Sequence, residues 1–357
     1  MSSSAAPDVR EVSAPRPAAG VPAAEWQRAI AAVNKAEEIC LACHVCPDGD
    51  ALGSMLAVTH ALRARGSARG RGPRIIASFG DDPPRVPANL RFLPGLELLS
   101  PPREYPAEPQ VMITFDAASD GRLGTLAPNA ARAAELIVLD HHASNTRFGT
   151  IHLLDPAAPA TAVLACELID RLGIALTRAI ALGLYAGLVT DTGSFKNAST
   201  TAGAHRLAVR LLGTGIEPGA VSRELWDRAP FGYLRVLAAA LDRAVLEPGQ
   251  VGGRGLVWTT VPKADRAAHG VEYDMVEPVI DVVRRTQEAE VAVVFKQDDD
   301  GAWQVSARST GSVDVGRACV MLGGGGHAAA AGFTSPWPVA DTVQRLRELL
   351  AAEPPGQ

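Results

Sequence analysis

Four short clusters of acidic residues and histidines recur through the first 200 residues of this 357-residue chain. They read His44-Val45-Cys46-Pro47-Asp48-Gly49-Asp50, Thr114-Phe115-Asp116, Asp140-His141-His142 and Thr190-Asp191-Thr192-Gly193. Three of them follow an apolar run and the fourth follows a helical pattern, and in an α/β chain such ends converge at the carboxyl edge of a parallel sheet. The carboxylates would repel one another in so small a space unless cations lay among them. The sequence therefore predicts a site for more than one metal ion.

Alternation of strands and helices predicts the fold of the N-terminal part. Short apolar runs bounded by breakers are typical of buried parallel strands, and they occur at residues 38–45, 74–79, 110–116 and 135–140. Helical periods occur at residues 23–37, 51–65, 160–172, 177–189 and 201–213. This alternation indicates an α/β fold with a doubly wound, mainly parallel sheet.

The pattern changes after residue 230 and predicts a second, smaller α/β domain with a mixed sheet. Strands are expected at residues 255–261, 291–296 and 303–308, and helices at residues 230–246, 273–288 and 338–352. The predicted organisation is a disordered tail over 1–21, a metal-binding catalytic domain over 22–214, a linker over 215–232 and the C-terminal domain over 233–357.

Composition and charge restrict the classes of function. Apolar residues make up 47% of the chain and charged residues 20%, as in soluble globular proteins. The net charge of −5 argues against a long nucleic acid as partner, whereas a small phosphorylated substrate stays possible if metal ions supply positive charge. We expect a reduced, cytoplasmic protein without membrane contact. The chain has five cysteines, an odd number, and it shows neither a secretory pattern nor an apolar run of membrane length.

The clusters provide ligands for two metal ions. Asp48 and Asp50 are two positions apart, so they can serve different ions, and Asp116 can bridge the pair. His141 and Asp191 can complete the ligands of the second ion. Two ions about 3.5–4 Å apart clamp a phosphate and generate a hydroxide nucleophile. Nitrogen and oxygen ligands without a thiolate favour Mn²⁺, with Mg²⁺ as the alternative.

Each of these residues has a simpler explanation when it is taken alone. A single Asp after a strand is usually a helix N-cap, and a His pair lies more often on a surface or in a core than on a metal. The metal interpretation gains support because suitable residue types recur, in order, at the ends of four elements.

The motifs resemble those of the DHH phosphoesterases, which are named for the sequence seen here at Asp140-His141-His142. The resemblance covers about residues 25–350 and is greatest to the subgroup that degrades very short RNAs and dephosphorylates adenosine 3′,5′-bisphosphate. The matched positions are His44, Asp48 and Asp50 in the first motif, Asp116, Ser119, Arg122, Leu123 and Gly124 in the second, Asp140 to Asn145 in the third and Gly187 to Phe195 in the fourth.

The resemblance implies a role for each acidic or histidine side chain. Asp140 would orient an imidazole or the loop, and His142 would face the substrate phosphate as an electrostatic stabiliser or proton donor. The implied catalytic residues are His142, Asp140 and Asp116. One Mn²⁺ ion would bind His44, Asp48 and Asp116, and the other would bind Asp50, Asp116, His141 and Asp191.

The C-terminal domain carries a run of four glycines directly before His327. Such a run lets backbone N–H groups approach an anion, although glycine runs are usually plain linkers. Arg308 has a planar guanidinium suited to a phosphate or a base, although a surface role is the simpler interpretation. Relatives commonly have Lys where this chain has Thr310, which puts one phosphate contact in doubt. The resemblance implies that substrate is held in a cleft between the domains by Arg122, Arg308, Ser309, Gly324, Gly325, Gly326 and His327.

The resemblance implies a phosphoesterase that hydrolyses short oligoribonucleotides to mononucleotides and dephosphorylates adenosine 3′,5′-bisphosphate to AMP, by two-metal activation of water. A phosphodiesterase for cyclic di-AMP or its linear dinucleotide product is the alternative activity. A nucleotide-binding sensor on the same scaffold is the alternative outside enzymes, and the complete set of ligand positions argues against it. Short RNA or small nucleotides are the expected partners, and a homodimer is a possible assembly.

Overall fold

The computed structural model describes residues 20–68, 70 and 72–351. The tail predicted over 1–21 lies outside the described residues except for Gly20 and Val21. Two sheets organise the described chain, one with five strands and one with six. The α/β fold with two sheets, predicted from the sequence, is therefore confirmed. Among the described residues, every helix is too short or too polar to span a lipid bilayer.

The N-terminal sheet is entirely parallel. Its strands are β1 (Glu38–Cys43), β2 (Arg74–Phe79), β3 (Val111–Phe115), β4 (Glu135–Asp140) and β5 (Ile151–Leu154), in the order β2-β1-β3-β4-β5. In β1, Ile39 and Leu41 face one core while Cys40 and Ala42 face another, and all are fully buried. Burial on both faces explains the continuous apolar runs. Strand β5 has no counterpart among the sequence predictions.

Helices pack against this sheet and bring two motifs together. They are α1 (Ala23–Lys35), α2 (Gly49–Ala68), α3 (Ala127–Ala131), α4 (Thr161–Arg171), α5 (Arg178–Asp191) and α6 (Ala202–Leu212). Helices α2 and α5 approach closely because glycines meet where they cross: a Cβ on Gly53 would lie 2.4 Å from Gly183 O. A Cβ on Gly187 would lie 2.7 Å from the Asp50 carboxylate. The start of α2, with Asp50, is thereby held beside the last turn of α5, with Asp191.

The C-terminal sheet is mixed. Its strands are β6 (Val245–Glu247), β7 (Leu256–Val261), β8 (Val291–Gln297), β9 (Trp303–Ser309), β10 (Gly325–His327) and β11 (Ala330–Ser335), in the order β10-β11-β9-β8-β7-β6. Strands β7 and β8 are parallel, and the other neighbouring pairs are antiparallel. The remaining helices are α7 (Pro218–Trp226), α8 (Phe231–Asp242), α9 (Gln250–Gly253), α10 (Lys263–Ala268), α11 (Val279–Val283), α12 (Val315–Met321) and α13 (Val339–Ala351).

Several C-terminal elements differ from the sequence predictions. The single helix predicted over 273–288 is wrong: a 3₁₀ turn at Tyr273–Val276 precedes the short helix α11, because Pro278 between them has no N–H group to continue a helix. The helix predicted over 230–246 ends at Asp242, and β6 follows it. The interval 215–232, predicted as a linker, contains α7. The domain boundaries themselves stay a prediction.

Candidate metal centre

Strands β1, β3 and β4 are neighbours and end at the same level of the sheet. The chain that leaves each of them carries one motif, as expected for the carboxyl edge of a parallel sheet. Helices α2 and α5 add the remaining carboxylates from one side. The side chains brought together in this way are His44, Asp48, Asp50, Asp116, Asp140, His141, His142 and Asp191.

His44, Asp48 and Asp116 form the first candidate ligand group, with ligand atoms within 4.8 Å of one another. His44 Nε2 lies 3.6 Å from Asp116 Oδ2 and 3.8 Å from Asp48 Oδ1. Its Nδ1 lies 2.8 Å from the carbonyl oxygen of Val45. A proton on Nδ1 would satisfy this carbonyl and leave the Nε2 lone pair toward the carboxylates, whereas the guanidinium of Arg122, which only donates, favours an unprotonated Nδ1. Arg122 Nη2, 3.1 Å from Nδ1, places a guanidinium beside this group.

Asp50, His141 and Asp191 form the second candidate group. His141 Nε2 lies 3.3 Å from Asp191 Oδ2 and 3.5 Å from Asp116 Oδ1. Asp116 therefore faces the first group with Oδ2 and the second with Oδ1. His141 Nδ1 lies 3.0 Å from the carbonyl oxygen of Ala158, which fixes the ring orientation.

The Nε2 atom of His141 tests whether a metal ion fits this site. It is buried and has no hydrogen-bond partner among the described residues. Because Nδ1 donates to a carbonyl, a neutral ring presents a bare Nε2 to carboxylate oxygens only 3.3 and 3.5 Å away. Lone pairs that face one another at such distances are unfavourable, and a cation between them removes the conflict. The imidazole and carboxylate donors therefore fit a divalent metal.

Burial and charge shift the pKa values of three carboxylates, Asp50, Asp191 and Asp116, in different directions. Burial first, then the charges of Asp116 and Asp191, raise the pKa of Asp50 well above its usual value. Burial, followed by the charges of Asp116 and Asp48, also raises the pKa of Asp191 well above its usual value. Burial also acts to raise the pKa of Asp116, but the hydrogen bond with His44 and the neighbouring histidines hold it well below its usual value. The neighbouring histidines therefore stabilise the ionised form of the Asp116 carboxylate.

The N-terminus of α4 fixes two of these carboxylates. The backbone N–H groups of Thr161 and Ala162 donate to Asp50 Oδ2 and Oδ1 at 2.5 and 2.9 Å. The Thr161 hydroxyl donates to Asp116 Oδ1 at 2.8 Å. A helix N-terminus favours negative charge through its free N–H groups and dipole. The sequence reasoning missed Thr161, although a Thr at the start of a predicted helix is a usual hydrogen-bonding position.

Asp140 is fully buried and orders the loop after β4. Its Oδ1 accepts hydrogen bonds from the His141 backbone N–H at 2.9 Å and from His142 Nδ1 at 2.7 Å, and its Oδ2 accepts one from Asn145 Nδ2 at 2.6 Å. Burial acts to lower the pKa of His142, but the bond to Asp140 and the charge of Asp116 raise it to about 9. His142 is therefore cationic at neutral pH.

His327 joins the cluster from the C-terminal domain. Its ring stacks on His142 with centroids 4.3 Å apart and an interplanar angle of 15°, and its centroid is 5.1 Å from that of His141. Burial first, then the positive charge of His142, lowers the pKa of His327 to about 4, so this ring is neutral. The domains also meet where Asp274 Oδ2 accepts a hydrogen bond from Ala88 N at 3.0 Å.

The other C-terminal residues singled out in the sequence have different surroundings. The Arg308 guanidinium is largely buried and donates to Ala307 O at 3.0 Å. Among the described residues, no carboxylate lies within ion-pair distance of it. Burial lowers the pKa of Arg308. The Ser309 hydroxyl instead donates to Glu290 at 3.2 Å, and Thr310 also donates to Glu290. Ser309 thus has a partner within its own domain, and its predicted substrate contact stays a prediction.

The glycine run is more ordered than a loop. The N–H of Gly324 donates to Cys319 O at 2.9 Å, so it is already used at the end of α12. Gly324 and Gly326 are needed for close packing, since a Cβ would lie 2.1 Å from Gly332 O at the first position and 2.5 Å from Ala330 O at the second. A Cβ on Gly325 would meet nothing within 4 Å. Only part of the run is therefore open to a ligand.

Comparison with known proteins shows which family this chain resembles over most of its length. Residues 38–188 match the DHH family, N-terminal domain, and residues 257–353 match the DHHA1 domain. A protein of Thermus thermophilus named bifunctional oligoribonuclease and PAP phosphatase NrnA is 36% identical over 312 residues, which are 87% of this chain and 88% of the relative. The chain belongs to the DHH phosphoesterase family. It is thus a metal-dependent phosphoric ester hydrolase, and seven of its clustered acidic and histidine residues, from His44 to His142, lie within the matched range 38–188.

Two further similar proteins differ in how much they overlap with this chain. A protein of Geobacillus thermodenitrificans named cyclic-di-AMP phosphodiesterase GdpP is 28% identical over 230 residues, which are 61% of this chain but 32% of that protein. The crystal structure of an exopolyphosphatase-related protein from Bacteroides fragilis superposes with a TM-score of 0.80 at 22% identity and covers 92% of this chain and 96% of its own. The second comparison shows that the whole two-sheet fold is shared.

Proposed function

We propose that this DHH phosphoesterase hydrolyses short oligoribonucleotides to mononucleotides and dephosphorylates adenosine 3′,5′-bisphosphate to AMP. The observation that carries the proposal is the approach of His327 to His142, which limits the space beside the metal ligands. A short substrate can lie between these domains, whereas a long strand would need an exit path. The name of the Thermus relative, which matches most of this chain, supports the same substrates.

We propose two ion sites that share Asp116, with Mn²⁺ preferred to Mg²⁺ because imidazole is among the ligands. His44, Asp48 and Asp116 would hold one ion, and the other would be held by Asp50, Asp116, His141 and Asp191. A bound ion pair supplies Lewis acidity and an activated water. The surrounding chain orients the ligand side chains. The backbone carbonyls of Val45 and Ala158 orient the two imidazole rings, and the N-terminus of α4 orients the carboxylates.

We propose that His142 acts on the substrate phosphate. Asp140 accepts a hydrogen bond from Nδ1, so Nε2 is the nitrogen available to a phosphate oxygen. With a pKa of about 9 the ring is protonated at neutral pH and can donate a proton or stabilise negative charge. Asp140 would keep the ring in this orientation rather than touch substrate.

Residues of the C-terminal domain would hold the part of the substrate that does not react. Arg308 suits this role because a buried guanidinium without a carboxylate partner gains from a phosphate. His327 would contact the same substrate from its stacked position, and Arg122 would contact it from the side of the first metal site. The lack of a side chain at Gly325 and Gly326 would let the substrate approach the backbone closely.

A cyclic di-AMP or linear dinucleotide phosphodiesterase is the competing activity. The relative that carries a cyclic di-AMP name matches this chain over 32% of its own length, which supports this alternative only weakly. A substrate panel separates the two: adenosine 3′,5′-bisphosphate, di- to pentaribonucleotides, a 20-nucleotide RNA, cyclic di-AMP and pyrophosphate, each with Mn²⁺, with Mg²⁺ and with a chelator.

We expect kcat/KM to be highest for di- to pentanucleotides, with release of phosphate from adenosine bisphosphate and loss of activity on chelation. A kcat/KM that increases with strand length, or a preference for cyclic di-AMP, would reject the proposed substrates. Full activity after exhaustive chelation would reject the metal sites.

A cytoplasmic location stays a prediction.

A further inference from the structure

The loop between His44 and Asp48 contains a residue with strained backbone geometry. Cys46 has a φ of 50°, in the left-handed region that residues other than glycine adopt only at a cost. Pro47 follows directly, and the residue before a proline is itself restricted, mostly to extended conformations. Strain of this kind persists only where surrounding contacts hold the residue in place. The loop therefore depends on a partner elsewhere in the chain.

Asp81 is such a partner. Its Oδ2 accepts a hydrogen bond from the Cys46 backbone N–H at 2.8 Å, and the Cys46 thiol lies 3.8 Å from its Oδ1. Asp81 lies two positions after the end of β2, which is the neighbour of β1 in the sheet. It belongs to none of the four motifs, and to none of the candidate ligand groups among the described residues. Asp81 thus contacts the loop at a residue that lies between two ligands.

Both ligands that flank the loop depend on its shape. His44 Nδ1 lies 2.8 Å from the carbonyl oxygen of Val45, so the backbone next to Cys46 contacts the imidazole ring. Asp48 Oδ1 accepts hydrogen bonds from two backbone N–H groups at the start of α2, at 3.0 and 2.9 Å. Cys46 lies midway between the two ligands in the chain. A rotation of its backbone would therefore move His44 relative to Asp48 and change the 3.8 Å that separates His44 Nε2 from Asp48 Oδ1.

We propose that Asp81 is a positioning residue for the first candidate metal group, because its hydrogen bond holds Cys46 in the conformation that sets His44 and Asp48 at ligand spacing. The inference rests on the metal sites proposed above and adds a residue that touches neither ion nor substrate. Outer partners of metal ligands typically change metal affinity by about 10–100-fold.

The second candidate group should not depend on Asp81. Its ligands are set by other contacts: the N-terminus of α4 holds Asp50, and the carbonyl oxygen of Ala158 fixes the His141 ring. Loss of the Asp81 hydrogen bond should therefore affect one ion site and not the other. A residue that only stabilised the fold would not discriminate between the two sites.

Calorimetric titration of Mn²⁺ into the metal-free, full-length chain tests this. We expect two binding events in the parent, and Asp81→Ala should weaken one of them by roughly tenfold or more while the other stays within about twofold. Asp81→Asn keeps an oxygen that can accept from the Cys46 N–H, so it should bind both ions like the parent. At limiting Mn²⁺ the alanine variant should lose kcat/KM for adenosine bisphosphate, and saturating Mn²⁺ should restore it.

Asp298→Ala is the matched control. Asp298 Oδ1 accepts from two backbone N–H groups in the turn between β8 and β9, at 3.1 and 2.8 Å, so this change removes loop contacts of the same kind in the other domain. Both Mn²⁺ affinities should stay unchanged. Circular dichroism with thermal melting checks folding. Asp81→Ser, whose oxygen has a shorter reach, should give the same loss as Asp81→Ala and replaces it if the alanine variant does not fold.

Three outcomes would overturn the proposal. The first is a folded Asp81→Ala variant with both affinities unchanged, and the second is an equal loss at both sites. The third is a loss in Asp81→Asn as large as that in Asp81→Ala, because the charge and not the hydrogen bond would then be responsible. A parent chain that binds no Mn²⁺ would instead reject the proposed metal sites, and this inference with them.

Discussion

The metal cluster and the Gly323–His327 segment meet where His327 stacks on His142, but they are positioned by different means. The cluster consists mostly of buried polar side chains, several of which are held by backbone groups of a parallel sheet and its helices. The Gly323–His327 segment has almost no side chains and depends on close backbone packing at a sheet edge. Changes in the cluster should therefore remove the chemistry, whereas changes in the glycine segment should mainly alter binding and alignment of substrate.

Asp116→Asn gives the strongest expected loss. The substitution removes the charge that both candidate metal groups share, while Asn tolerates the positive φ of 58° at this position. We expect kcat to fall by about three orders of magnitude or more for every substrate, because metal ions could no longer be clamped together. Steady-state kinetics and metal content by mass spectrometry measure this. Substantial activity in a folded variant would show that Asp116 does not link the sites.

Gly326→Ala compares the glycine segment with the cluster directly. A Cβ there would lie 2.5 Å from Ala330 O at a φ of 134°, so β10 and the adjacent His327 must shift. We expect KM to rise by roughly tenfold with a smaller change in kcat, because remote contacts position the scissile phosphate. Gly249→Ala is the control, since this glycine lies outside the segment and its Cβ would meet nothing within 4 Å. Equal effects of the two variants would contradict this account of the segment.

Thr161→Val tests the support that α4 gives to the cluster. The change keeps the shape of the side chain but removes the hydroxyl that donates to Asp116 Oδ1. The loss of one hydrogen bond to a charged group corresponds to about 1.5 kcal/mol or roughly tenfold, which we expect in kcat/KM at limiting metal concentration. Thr59→Val, a buried Thr whose hydroxyl donates within α2, is the control and should keep full activity.

Arg347→Met should have the smallest effect and should act on stability alone. Its guanidinium donates to Glu247, and this hydrogen bond lowers the pKa of the carboxyl below its ordinary 4.5. A lowered pKa means that the pair stabilises the fold above pH 4.5 and loses this contribution as the pH falls through the folded-state value. Urea unfolding should show a deficit of about 0.5–1 kcal/mol at pH 7 that shrinks in acid. An unchanged deficit in acid would contradict it.

Much of the fold and of the metal cluster could be predicted from the sequence because both depend on local patterns. Continuous apolar runs indicated the parallel strands, and their shared carboxyl edge predicted that His44, Asp116 and His141 would meet. The single helix predicted over 273–288 was wrong because Pro278 interrupts it. Strand β5 was missed because its four residues are too short for a periodic pattern.

The sequence by itself determined which residue types gather at the sheet edge, since strand direction and the order of motifs are properties of the chain. Only the tertiary structure decided which atoms meet. It placed the Thr161 hydroxyl on Asp116, left Nε2 of His141 without a partner and turned the Ser309 hydroxyl toward Glu290. It also stacked His327 on His142 across two domains. The physical reason is that these contacts join residues far apart in sequence, and their geometry depends on how helices and sheets pack, which no local pattern records.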